Sequence, residues 1–350
     1  MKISFVSNHA VSKALSYQLT RLQNDMMKAQ QEISSGKYAD VGLALGARTG
    51  QVVALDRDIE RLQGLQVSNG LVSARIDVTT TALKRLTTQA DALMSALNVG
   101  GNGNTIEVLR AAGKTALETL TGALNSSHNG EYIFSGINTD VEPITDYFSP
   151  GADNKAAFDQ AFQDHFGFPQ TDPQAQDITA AEMTTFLEDV IEPMFLGNVP
   201  GGWQDNWSKA TDQGVTNRIG LNETAETTLS ANMQGVRKLA MASTIVADLL
   251  DGVLNSGARD AVISHARNLV GESVADINQS TAQLGLVDKR IDDANERIKM
   301  QVDIFKMSLG NLQNVDTYEA STRVNNLLAQ IETSYALTAR IQRLSLLNYL

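Results

Sequence analysis

The sequence predicts a mainly α protein, a long antiparallel coiled-coil helical bundle formed by N- and C-terminal arms, with a small inserted α+β domain. Three observations lead there. Apolar residues in both flanks recur at alternating steps of three and four, the 3.5-residue period of a coiled-coil seam. All six prolines lie between Pro143 and Pro200, and proline breaks interior helix. Eight of the ten phenylalanines and both tryptophans fall between Phe134 and Trp207, where they can fill a compact core. The 350 residues therefore divide into a terminal helical part (1–45 with 316–350), a long-helix bundle (46–137 with 232–315) and the inserted domain (138–231).

The first arm opens with Leu15, Leu19, Leu22, Met26, Ala29 and Ile33, followed by Gly36, where a left-handed helix cap is expected. A second apolar series runs from Val52 to Leu97, with one extra step of three between Leu62 and Leu65, a phase slip in the seam. Unbroken, that helix is about 75 Å long at a rise of 1.5 Å per residue. The run GGNGN at 100–104 turns the chain, and Asn104 with Glu107 has capping-box spacing for a return helix through Leu109 to Leu124. In the second arm helical periodicity covers about Met233 to Leu254 and about Ala258 to Asn314. Asp316 with Glu319 repeats the capping-box spacing and opens a last helix through Val324, Leu328, Ile331 and Tyr335. It ends in the apolar tail LSLLNYL, which carries Leu344, Leu346, Leu347 and Leu350. In the centre, Phe158, Phe162 and Phe166 share a helix face, and Thr179 with Glu182 caps a helix that stops before Pro193. Arg218–Leu221 and Thr227–Ala231 read as strands.

The net charge of −12 argues against binding nucleic acid or an anionic membrane surface, both of which call for Lys and Arg. No apolar run is long enough to span a bilayer, and the N-terminus lacks the continuous apolar core and small-residue cleavage site of a Sec-type signal peptide. With no cysteine, disulfides and thiol chemistry are excluded. The four histidines are dispersed, and none belongs to a metal-binding HExxH pattern. GGNGN lacks the Lys-Ser/Thr of a phosphate loop and follows a helix, so it reads as a turn. The acids of DKRIDDANER at 288–297 alternate with Ile291 and Ala294 at helical spacing and read as a solvated helix face. No catalytic, cofactor-binding or metal residue is assigned, and an enzyme is not expected. The tail is different: it either folds back on its own core or presents a surface that other subunits cover. The matching N-terminal stripe favours the second, because two half-finished amphipathic helices at opposite ends of a chain can complete one another. The two stripes and the tail leucines are the candidate assembly residues.

QLTRLQNDMMKAQQEISSGK near the start, closing in the turn Ile33–Lys37, and QIETSYALTARIQRLSLLNYL at the end together resemble bacterial flagellin and the hook-associated proteins, over roughly 1–135 and 233–350. Within that family, GEYIFSGINTDVEPI at 130–144 is similar to the short hairpin of the distal hook–filament junction branch, which flagellins usually lack. After Lys37 the family often shows an Asp-Asp-Pro-like step, whereas this chain reads YADVGLALGART. The resemblance implies a structural subunit of the flagellum, an adaptor at the hook–filament junction that needs no cofactor. It also implies export through the flagellar type III channel with an export chaperone and the export apparatus, and an extracellular site of assembly. The implied partners are copies of the chain itself in a ring or helix, the proximal junction protein and flagellin. Flagellin itself is the nearest alternative, and a cytoplasmic coiled-coil scaffold, which would need no apolar C-terminus, is the alternative from another class.

Overall fold

The computed structural model describes residues 8–99, 103–251 and 253–347. In chain order these form α1 (Asn8–Ser35), α2 (Val41–Leu45), α3 (Thr49–Val99), α4 (Gly103–Leu124) and a hairpin of β1 (Ser127–His128) and β2 (Glu131–Tyr132). Then follow α5 (Asp153–Phe166), α6 (Ala180–Phe186), α7 (Glu192–Leu196), a second hairpin of β3 (Thr216–Gly220) and β4 (Glu223–Glu226), α8 (Gln234–Asp248), α9 (Ser256–Gln313) and α10 (Thr317–Leu347). The mainly α bundle read from the sequence is the fold observed. The chain forms two compact units, a terminal unit of Met1–Gln63 with Lys299–Leu350 and a central unit of Gly64–Ile298, so that α3 and α9 each contribute to both.

The central unit is built on α3, α4, α8 and α9. Leu83, Leu86, Leu93 and Leu97 of α3 are completely buried, as are Leu120 of α4 and Val262 and Val270 of α9. Helix α8 is buried on nearly all sides from Gly235 to Val246, which suits its run of small and apolar residues. It meets α4 so closely that a Cβ on Gly113 would stand 2.9 Å from both Ala247 N and Ser243 O. Polar contacts set the α3–α9 register: the Arg267 guanidinium donates to the Leu97 carbonyl at 2.8 Å, and Asn69 Nδ2 donates to Asn295 Oδ1 at 2.7 Å. The same 28 residues separate these partners on each helix, so the antiparallel pair stays in phase between them.

The central segment differs from its sequence reading in three ways. Residues 138–231 do not enclose a core of their own: Tyr147, Phe158, Phe162, Phe186 and Trp203 join one continuous apolar cluster with the buried residues of α3, α4, α8 and α9. Aromatic side chains are large enough to reach the helices, and Tyr147, Trp207 and Trp203 stack in series against α8 through the Tyr147–Asp248 hydrogen bond of 2.9 Å. The helix capped by Thr179, whose capping box with Glu182 is present, continues through Pro193. A π-turn at Leu187–Ile191 widens the spiral immediately before Pro193, which falls in the first turn of α7. The second predicted strand, Thr227–Ala231, gives way to Glu223–Glu226, because the chain turns immediately after Gly220 and pairs back at once. Thr227–Ala231 lies outside the hairpin, with Ala231 N–H donating to Phe134 O and Ser230 bridging Ser135. Helix α4 begins at Gly103, one residue ahead of the expected cap at Asn104, whose side chain lies outside the described residues.

Candidate assembly surface

In the terminal unit α1 and α10 run antiparallel. Gln23 Nε2 donates to the Tyr335 hydroxyl at 3.0 Å, and Arg323 Nη1 meets Glu32 Oε2 at 2.9 Å. The predicted N-terminal stripe faces this partner: Ala29 is buried, and Leu15, Leu19, Leu22, Met26 and Ile33 are half-buried. Gly36 ends α1 in the left-handed conformation (φ 69°), its N–H donating to Glu32 O at 2.8 Å, as its position after the stripe predicted. Asp316 caps α10, its Oδ1 accepting from Tyr318 N at 2.8 Å and Glu319 N at 3.3 Å. Backbone bonds from Val315 N to Gly36 O and from Tyr38 N to Gln313 O tie the two helix ends together.

The C-terminal stripe keeps two of its four predicted positions, Val324 and Ile331, and departs from its sequence reading at the other two. Ala320, Ile331 and Ser334 are buried, and Val324 and Leu327 are half-buried, whereas Leu328 and Tyr335 stand 47% and 51% exposed. Ala29 on α1 and Ala320 on α10 are buried, while Leu328 and Tyr335 lie on the flank of the pair. Leu344, Leu346 and Leu347 belong to the last turns of α10, where side chains lie outside the described residues, and Leu350 lies outside them altogether. Two contributors carried no strong sequence signal. Glu32 is almost buried and holds both Arg323 and the Ala39 N–H; only its three-residue distance from Ala29 hints at this. Leu43 stands 80% exposed on α2.

Among the described residues, eleven of the nineteen exposed large apolar side chains belong to the terminal unit, which is a third of the chain. Leu328, Tyr335 and Leu337 are on α10, Tyr17 and Met27 on α1, and Met300, Ile304 and Met307 at i, i+4 and i+7 on α9. The charges divide unevenly. The terminal unit carries 13 basic and 10 acidic side chains, the central unit 15 and 30, net charges of +3 and −15.

No comparable chemistry gathers elsewhere among the described residues. The Tyr147–Asp248–Lys155 cluster is internal: burial pushes the Asp248 carboxyl and the Tyr147 hydroxyl up, and Lys155 Nζ sits 3.0 Å from Asp248. A cup of about 380 Å³ is lined by His165, Phe166, Phe168 and Glu182, but the Glu182 carboxylate is committed to the Thr179 cap, whose hydrogen bonds hold its pKa below the ordinary value. Among the described residues, no group of three His, Asp or Glu side chains is placed to hold a metal, and no helix is long and apolar enough to cross a membrane.

A family model of the bacterial flagellin N-terminal helical region matches residues 6–139, and one of the bacterial flagellin C-terminal helical region matches residues 268–350. The chain belongs to the bacterial flagellin family. Flagellin-family proteins are structural, so the chain is a flagellar structural protein and not an enzyme. A solved structure provisionally described as a flagellar hook-associated protein from Vibrio parahaemolyticus shares the fold, with a TM-score of 0.53 at 10% identity, over 76% of this chain and 97% of that one. No curated protein matches the chain by sequence. Membership of the flagellin family points to self-assembly into flagellar structures.

Proposed function

We propose that the chain is the distal adaptor of the hook–filament junction, the role of hook-associated protein 3, exported with a chaperone through the flagellar type III channel. In this reading copies form a ring through α1 and α10, with the proximal junction protein on one side and flagellin on the other. The observation that carries it is the YIFSG segment, which is built into the fold and not appended to it. Ile133 and Phe134 are buried in the core of the central unit, and Ser135 bridges Ser230. Gly136, at φ 69°, lies so close to Thr211 that a Cβ would stand 2.5 Å from its carbonyl oxygen. The likeness to a structure described as a flagellar hook-associated protein supports the same reading.

Counting the chain in isolated flagella, with immunogold labelling of hook–basal bodies, tests it. A junction adaptor gives on the order of ten copies, one closed ring, all at the distal end of the hook. Label distributed along the filament would make the chain a flagellin instead.

A further inference from the structure

We propose that the apolar segment Val41–Leu45 is a contact between copies of this chain, docking on the neighbouring copy through Leu43. The segment, VGLAL, forms a preorganised helical turn: Asp40 Oδ1 accepts the Leu43 N–H at 2.9 Å, and the Gly46 N–H closes on Gly42 O. None of its five residues is buried, and Leu43 is 80% exposed. It is not a loose end, because Glu32 Oε1 holds the preceding Ala39 N–H at 3.2 Å and Tyr38 N bonds Gln313 O at 3.0 Å. An ordered apolar turn held out in water is the usual mark of a surface that something else covers.

Its surroundings indicate what covers it. Leu43 and Ala44 rim a groove of about 370 Å³ whose other walls come from α1 and α10, including Ala29 and Leu327, so the turn continues the paired-helix surface. The charged side chains around that groove, Asp25, Lys28, Glu32, Asp40 and Arg323, nearly cancel. Two copies brought together through their central units, each at −15, repel one another; brought together through this groove they do not. A basic foreign partner is drawn instead to the central unit. The occupant is therefore a second copy, an inference that rests on the self-assembly in the proposed function.

A photo-cross-linking residue placed at position 43 tests this in flagellated cells. The expected product has twice the mass of the chain and contains only this chain. A product with a different protein, or none, overturns the inference. Leu43→Glu should leave the monomer's thermal midpoint unchanged and reduce incorporation about tenfold. A lowered midpoint, or incorporation at the native level, overturns it as well. If the junction assignment fails instead, labelled copies spread along the filament while the copy-to-copy cross-link persists.

Discussion

At the residue scale, single side chains set how closely helices approach. Gly113 is small because the α8 backbone occupies the space a Cβ needs, so Gly113→Ala should cost about 1–3 kcal/mol in urea denaturation, the usual penalty of overpacking. A loss near zero would mean that α4 and α8 are free to separate. Glu32 serves two donors at once, and Glu32→Ala should destabilise the α1–α10 pair by about 1–2 kcal/mol. Arg323→Ala should cost less, because Glu32 keeps the Ala39 N–H; equal losses would show that the ion pair carries the whole effect. His265 provides a pH dependence. Burial lowers its pKa from the ordinary 6.5, against the opposing pull of Glu192, Glu188 and Glu272. The folded state therefore binds that proton less readily than the unfolded chain, and the stability this contributes is present above the ordinary imidazole pKa of 6.5 and is lost as pH falls below it. His265→Gln should flatten the change in denaturation midpoint across that window, and an unchanged slope would remove His265 as its source.

At the element scale the two units differ in how much they bury. In α1 only Ala29 and Glu32 are buried among the described side chains, whereas α8 is buried on nearly all sides from Gly235 to Val246. Most helical stability in proteins comes from tertiary packing of an apolar face, and here that face is only half-covered, so amide exchange in α1 and α10 should be fast in the free subunit and slow on assembly. Protection equal to that of α8 in a dilute monomer would contradict this. The same contrast explains what was legible in the sequence. The long seam of α3, the cap at Gly36 and the Thr179–Glu182 box were readable because each is decided within a few residues. In the C-terminal stripe Val324 and Ile331 were legible, whereas Leu327 and Ser334 line the seam in place of Leu328 and Tyr335, a choice made by the partner helix. The course of the chain through Pro193 depended on a π-turn, and the shared core of 138–231 on aromatic contacts with helices far away in sequence.

At the scale of the whole molecule, charge and apolar surface are assigned to different units. In the assembly proposed above, the central unit at −15 keeps copies apart, and the terminal unit at +3, with most of the exposed large apolar side chains among the described residues, brings them together. Assembly of the purified chain should therefore be favoured as salt is raised toward about 0.15 M, where screening shortens the repulsion to about 8 Å. Weaker assembly with added salt would mean that attraction between opposite charges drives it. The central claim is that the paired termini form an assembly surface, and the apolar tail LSLLNYL allows the most direct test. Burying a leucine contributes about 1.5–3 kcal/mol and a buried unpaired carboxylate costs several more, so a subunit contact cannot accept Leu346→Asp with Leu347→Asp. Surface changes in the free subunit move stability by no more than about 0.5 kcal/mol. The measurement is the thermal midpoint of the purified double variant, paired with its incorporation into flagella. An unchanged midpoint with incorporation abolished is the predicted result; a midpoint lowered by many degrees, or normal incorporation, would contradict it.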